Sequence, residues 1–468
     1  MTCKRVVSLI LTSFLVIASL FAEKDYRGIT PDVLKILETS VNVNAPQTKA
    51  LINAVSANDV GKLVVNKRVK DSLFDWNFSF RLKTKGVTNQ KSSGRCWLFA
   101  GLNILRYRVA QRLNLEKFEL SQSYNFFYDK LEKANLFLEK IIETRNRPIG
   151  DRTVDFLLKN PIPDGGQWNM VVALVNKYGV VPKEIMPETY NTSNTRRINQ
   201  ILATLLRRDA AILRESKKSE VELRKMKIEM LKDVYRLLVY AFGVPPKQFK
   251  WRYKDKNGKI SPWKTYTPQS FFKEFVNVDL NDYVVVYNCP AKKYYKLYSI
   301  SLDRDMADRQ DLTFLNLPIE EVKKLTLKTL TQDKEPVWFG CDVGKELLNK
   351  DGIMAPDTYD YKSLLGIDLS MTKKQIILYR HSIPTHAMVF TGVDLGSDGK
   401  PVKWLVENSW GSKAGKNGMY VMYDKWFDYY LYEVVIPKKN LTPEMLKLLK
   451  QKPIVVPPWD PMYDFFSH

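Results

Sequence analysis

Val87-Thr-Asn-Gln-Lys-Ser-Ser-Gly-Arg-Cys96-Trp-Leu-Phe-Ala100 is a polar, glycine-containing loop that runs into an apolar, helix-patterned segment. Leu98, Leu102, Leu105, Val109 and Leu113 recur at three- and four-residue steps. The spacing predicts a helix that begins at or just before Cys96 and buries one face. A thiol at a helix N-terminus sits beside unpaired backbone N–H groups and the positive end of the macrodipole, and both favour thiolate. Six residues upstream, Gln90 offers a side-chain amide able to donate to an oxyanion formed on whatever the sulfur attacks. Taken alone, a free cysteine is more often a buried structural thiol, so the reading turns on a partner.

A thiolate nucleophile needs a base, and the chain has three histidines: His381, His386 and His468. His386 opens an apolar run of strand length. A turn at Asp394-Leu-Gly-Ser-Asp-Gly399 follows, and then a second strand pattern leads into Glu407-Asn408-Ser409-Trp410-Gly411. Such a hairpin can set His386 and Asn408 close together. An amide oxygen on one imidazole nitrogen fixes tautomer and ring plane and leaves the other nitrogen to face the sulfur. The Trp410 indole is placed to cover that bond. His381 lacks the strand context.

Together, Gln90, Ser93-Gly-Arg-Cys-Trp97, His386 with its strand and Asn408-Ser-Trp-Gly411 resemble the papain-like cysteine peptidases. The resemblance is closer to the bleomycin hydrolase and aminopeptidase C branch. Leu120-Ser-Gln-Ser-Tyr124, Asp164-Gly-Gly-Gln167, Trp338-Phe-Gly-Cys-Asp-Val-Gly344, Thr385-His-Ala-Met388, Val406-Glu-Asn-Ser-Trp-Gly411 and Trp459-Asp-Pro-Met462 follow one another in that branch's order. The resemblance implies an α+β, papain-like two-lobed fold, a helical lobe plus a β-barrel-like lobe, with a large, mostly helical insertion. It also implies a cysteine-type peptidase with Cys96, His386 and Asn408 as the catalytic set and Gln90 at the oxyanion. Trp410 supports the site, and the Gly165 and Gly166 backbone lies along the substrate.

Cys96 and His386 stand about 290 residues apart, against roughly 130–150 in a minimal papain-like body, so some 150 residues are inserted. The expected organisation is a signal peptide at 1–22, an N-terminal strap at 23–82, and the helical lobe with the nucleophile at 83–190. An inserted helical and mixed subdomain follows at 191–335, then the β lobe with His386 and Asn408 at 336–455, and a tail in or near the cleft at 456–468. Within the insertion, Thr195 to Ala241 reads as helical and charged, with an apolar stripe through Ile201, Leu205, Leu213, Met226, Met230 and Leu237. Lys256-Asn-Gly-Lys259 reads as a hairpin turn.

Lys4 and Arg5, an apolar run from Val6 to Phe21 and small Ala22 form a secretory signal pattern with cleavage after Ala22. Export is therefore expected; an uncleaved membrane anchor is the other reading of that run, and cytoplasmic residence the other reading by resemblance. Cys341 reads as a small core residue, and a Cys289–Cys341 disulfide is permitted in an exported protein but not indicated. Three histidines and no Cys-x-x-Cys give no support to a metal, and no nucleotide-type glycine loop suggests a cofactor. The net charge of +22 attracts polyanions, nucleic acid among them, in a salt-dependent way. The basic residues are nevertheless spread along the chain and mixed with acids, with no recognition module.

By resemblance the chain assembles as a homohexamer and acts on peptide substrates. Its C-terminus would block the far subsites and make an aminopeptidase, although Tyr463-Asp-Phe-Phe-Ser-His468 extends past the point where relatives end. Two alternatives stay open: an endopeptidase, if that tail leaves the cleft clear, and a polyanion-binding surface protein with secondary peptidase activity.

Overall fold

The computed structural model describes residues 27–84 and 86–463. The expected signal segment at 1–22 and the tail from Asp464 to His468 lie outside the described residues. Two compact units are present, one of residues 27–65 and 360–368, the other of 66–359 and 369–463. The first is helical: Pro31–Thr39 is capped by Thr30, Pro46–Ala57 starts on its proline, and a short turn follows Asp59, each start using a residue type suited to it.

In the larger unit the quoted loop feeds α1, Cys96–Arg112. Its helix start falls where the spacing predicts, but the burial is wider than one face. Trp97, Phe99, Ala100 and Ile104 are buried along with Leu98, Leu102, Leu105 and Val109. Two polar residues within it reach across to neighbouring segments: Asn103 donates to Thr88 at 3.0 Å, and the Arg106 guanidinium pairs with Glu407 and donates to the Gly86 carbonyl. Around α1 stand α2 (Gln122–Thr144) and α3 (Trp168–Tyr178). Gly101 allows α1 and α3 to approach, since a Cβ there would lie 2.8 Å from Val171.

The inserted charged segment is two helices, α4 (Arg196–Glu215) and α5 (Glu220–Phe242), both packed on α2. The break comes at Ser219, whose hydroxyl and the Glu222 carboxylate form a reciprocal capping box. The expected apolar stripe is partly misphased. In α4 the buried row is Ile198, Leu202, Leu206 and Leu213, while Ile201 is 45% exposed. Leu205, Met226, Met230 and Leu237 pack partly buried against the core as expected, and Ile201, Leu205 and Leu237 also border a surface groove with Arg197, Arg208 and Arg236. The Asn257-Gly258 turn forms, joining Phe249–Trp251 to antiparallel Lys264–Tyr266, with Gly258 at φ 86° and Asp255 accepting from Asn257 and Lys259.

The other lobe is a 12-stranded mixed sheet. Its longer strands are β1 (Tyr283–Tyr287), β2 (Lys296–Ile300), β3 (Thr313–Asn316), β4 (Val337–Cys341), β5 (His386–Leu395), β6 (Pro401–Glu407), β7 (Met419–Tyr423), β8 (Leu431–Pro437) and β9 (Ile454–Val456), in the order β9-β2-β3-β1-β8-β4-β5-β6-β7. Strands β5 and β6 are the expected hairpin, antiparallel with Val389 opposite Glu407. α6 (Ile319–Thr331) packs on β8, and β5 lies against α1. One core cluster gathers the helical lobe around Leu98, Phe126 and Leu202; the other lies among Phe339, Phe390, Trp404 and Trp426. A helical lobe meeting a β lobe along α1 and β5 is the expected papain-like α+β fold. Among the described residues no helix is long and apolar enough to cross a membrane.

Candidate active site

Backbone pairing brings distant parts of the chain together before any side chain is considered. The Gln90 N–H donates to the Ser409 carbonyl at 2.8 Å, the Gly411 N–H to the Thr88 carbonyl at 3.0 Å, and Asn89 bridges Trp410. This closure needs a glycine at 411, where φ is 79° and a Cβ would meet the Asn89 amide at 2.4 Å. It also sets the loop before Cys96 beside the loop after β6.

Cys96 and His386 line one groove of about 430 Å³. The thiol is half-buried and lies against the backbone N–H of Ala387, the residue after His386, and against the N–H groups of Trp97 and Cys96 itself. Burial pushes the thiol up from its ordinary value, outweighing the pull of those three N–H groups. The helix-end N–H groups pull toward thiolate as expected, and burial works against them.

His386 lines the same groove. Its Nε2 lies 2.8 Å from Asn408 Oδ1, which also accepts the Ser409 N–H at 2.7 Å. The N–H fixes the amide orientation, so Nε2 is the nitrogen that donates to Asn408. The Trp410 ring lies 4.8 Å from the imidazole, centroid to centroid. His381 is exposed on its loop, outside the groove lining.

Gln90 is buried and lines the same groove. Its Oε1 accepts the Ser409 hydroxyl at 2.6 Å, and its Nε2 donates one hydrogen to the Ser93 carbonyl at 2.6 Å. The amide can then present its second hydrogen to the groove. Ser409 was hidden in the sequence because its partner is 319 positions away.

The opposite wall is the Asp164-Gly-Gly-Gln167 loop. The Asp164 carboxylate takes the Lys130 ammonium at 2.7 Å, the Gly94 N–H at 3.0 Å, the Asn199 amide at 2.7 Å and the Thr195 hydroxyl. Burial opposes its ionisation, but these partners, Lys130 foremost, hold the carboxyl well below the usual range. Trp97 donates to the Asp164 carbonyl at 2.8 Å, and a Cβ on Gly166 would lie 2.6 Å from that indole. Both glycines of the pair line the groove, and the Gly165 carbonyl accepts the Lys133 ammonium at 2.6 Å. Cys289 and Cys341 are free and buried. The last described residue, Tyr463, is buried and lines the groove, and the Met462 carbonyl accepts from Tyr287 at 3.0 Å.

The sequence matches the Peptidase C1-like family over residues 28–463. It is 43% identical to Aminopeptidase C of Streptococcus thermophilus across 88% of this chain and 94% of that protein, and 41% identical to Aminopeptidase C of Listeria innocua across 88% and 91%. The solved structure of PepW from Lactobacillus rhamnosis HN001 superposes with a TM-score of 0.89 at 41% identity, over 93% of this chain and 99% of that one. Sequence, fold and groove thus agree, and the chain belongs to the Peptidase C1-like family of cysteine peptidases.

Proposed function

We propose that this protein is an aminopeptidase that releases N-terminal residues from peptides by acyl transfer through Cys96. The observation that carries the reading is the shared groove, in which the Cys96 sulfur meets the backbone beside a histidine already oriented by Asn408. The Cys96 Sγ proton passes to His386 Nδ1 as the sulfur attacks the scissile carbonyl carbon. The resulting oxyanion is held by the free hydrogen of Gln90 Nε2 and the Cys96 N–H. Imidazolium then protonates the leaving amine, and the C–N bond breaks. Imidazole next takes a proton from water, whose oxygen attacks the thioester, and the acid product leaves as the thiol is restored. Asn408 orients His386, Trp410 shields their bond, and Gly166 supplies backbone hydrogen bonds to substrate.

Release from the amino end, rather than internal cleavage, is favoured by the tail. Met462 and Tyr463 are buried, and Tyr463 occupies part of the groove lining, which shortens the space for residues preceding the scissile bond. The relatives' names point the same way. The deciding measurement compares a free-amine peptide substrate with its N-acetylated form, using full-length protein and a truncation after Met462. Preference for the free amine in the full-length form supports the reading. Equal cleavage of both forms by full-length protein makes it an endopeptidase.

The reading extends to a protein exported after cleavage behind Ala22 and assembled as a homohexamer. The first rests on the N-terminal charge and apolar pattern, the second on the family resemblance. Recovery from cytoplasm with Met1 intact removes the first, and a monomer by sedimentation at micromolar concentration removes the second. Nonspecific polyanion binding, supported by the net charge of +22, is a secondary property of such a surface; Cys96→Ala should retain it in a salt-sensitive form.

A further inference from the structure

The mechanism leaves one end of the groove unused, and that end is acidic. Glu433 on β8 is the register partner of Gly340 on β4, which is in turn the partner of Ala387 on β5. Paired residues share a sheet face, so the Glu433 side chain crosses Gly340 toward the strand that carries His386. A Cβ at Gly340 would lie 2.5 Å from Glu433 Oε1; the glycine is the room in which that carboxyl sits. Glu433 is 1% exposed, lines the same groove as Cys96, and its Oε2 has no hydrogen-bond partner among the described residues.

Asp303 is 2% exposed and close enough to Glu433 to oppose its ionisation, and the Tyr463 phenol and Gln167 complete the surroundings. Lys133, which faces Asp303, is already engaged by Asp129 and by the Pro163 and Gly165 carbonyls. Burial, with some repulsion between them and from Asp311 on Asp303, pushes both carboxyls up to about 8. Gln167 is the one side chain near enough to lower the Glu433 carboxyl by hydrogen bonding, and Oε2 is left without a partner among the described residues; a cation is the ligand that would satisfy both that remaining hydrogen-bonding capacity and the charge.

We propose that Glu433, backed by Asp303, is the subsite that receives an ammonium group of the bound peptide on the amine side of the scissile bond. This rests on the aminopeptidase reading and supplies it with a side-chain anchor within the groove, distinct from the chain end. Two strand spacings place the Glu433 backbone about 10 Å from Ala387, and the side chain reaches back over part of that distance. The ammonium placed in range is that of the residue immediately before the cleaved bond, either its α-amine or a lysine side chain.

Full-length protein and Glu433→Gln are compared on coumarin amides of lysine and norleucine, each with a free and an acetylated α-amine. The substitution keeps volume and removes a charge that burial already disfavours, and the rate of Cys96 alkylation by iodoacetamide, expected within about twofold of wild type, gauges the integrity of the site. Loss of one charge-assisted bond predicts a fall in kcat/KM of about tenfold or more, carried mainly by KM. An α-amine ligand gives that fall on both free-amine substrates and on neither acetylated one. A side-chain ligand gives it on both lysine substrates and on neither norleucine one.

A uniform fall across all four substrates, or a change under twofold on all of them, overturns the subsite. Should alkylation of Glu433→Gln be lost, Asp303→Asn is judged by the same substrate pattern. Wild type that fails to prefer the free amine would sink the aminopeptidase reading alone, because the lysine and norleucine comparison still decides the subsite.

Discussion

Ser409→Ala tests how the oxyanion donor is set. The serine hydroxyl is 2.6 Å from Gln90 Oε1, and both residues are buried, at 3% and 6% exposure. Removing the hydroxyl leaves an amide oxygen short of a donor, at a cost of about 1–3 kcal/mol in stability. It also removes what distinguishes the two faces of the amide, because the remaining side-chain tie is Nε2 to the Ser93 carbonyl. If the lost bond had contributed about 1–1.5 kcal/mol to the productive orientation, the amide would present its donor about tenfold less often, and kcat should fall by about that factor. Gln90→Ala removes the donor outright and should cost about 100-fold or more.

Steady-state kinetics on a free-amine coumarin substrate, for Ser409→Ala, Gln90→Ala and the double variant, close the cycle. The double variant should be no slower than Gln90→Ala, since the serine acts through the amide. An independent further tenfold loss in the double variant, or a Ser409→Ala enzyme within twofold of wild type, would refute the positioning argument.

Cys96→Ala should abolish turnover, and Asn408→Ala should retain substantially more activity than His386→Ala; equal losses in a kinetic comparison would remove the orienting role from Asn408. Asp164→Asn leaves the fully buried Lys130 without its counter-charge and should cost about 3–5 kcal/mol by urea unfolding at neutral pH. Because the Asp164 carboxyl is held below its ordinary 3.8, its contribution is present above about pH 4 and lost as pH falls toward the folded value. The gap between wild type and variant should accordingly narrow in acid. Gly101→Ala should destabilise despite a helix-propensity gain of about 1 kcal/mol, since its Cβ would meet Val171 at 2.8 Å and overpacking costs about 1–3 kcal/mol; a raised melting temperature would show that α3 can move aside.

What the sequence makes legible is what local spacing encodes. The start of α1 at Cys96 follows from its apolar steps, and the β5–β6 hairpin with its turn follows from alternation and glycine. The break at Ser219 was available as a Ser-x-x-Glu signature and was hidden only by the continuous charge around it. The buried row of α4 was not available, because arginines and leucines there satisfy two neighbouring phases equally well. Ser409 and Gln90 carry no mutual signal at a separation of 319 residues. Glu433 sits inside an otherwise apolar strand, where nothing local distinguishes a groove-facing carboxyl from an edge charge. The residues proposed for acid–base and oxyanion roles stand in contiguous motifs; the residues that hold them are contacts between motifs and carry no local signal.

The zipper between residues 88–90 and 409–411 has a temporal consequence. Its halves emerge from the ribosome some 319 residues apart, so a nascent chain carries Cys96 through that stretch of translation without the segment that holds Asn408 and Ser409. On the proposed mechanism, hydrolytic competence should therefore wait until residues 409–411 have emerged and paired, and a translation product that stops before them would be a harmless thiol rather than a stray protease.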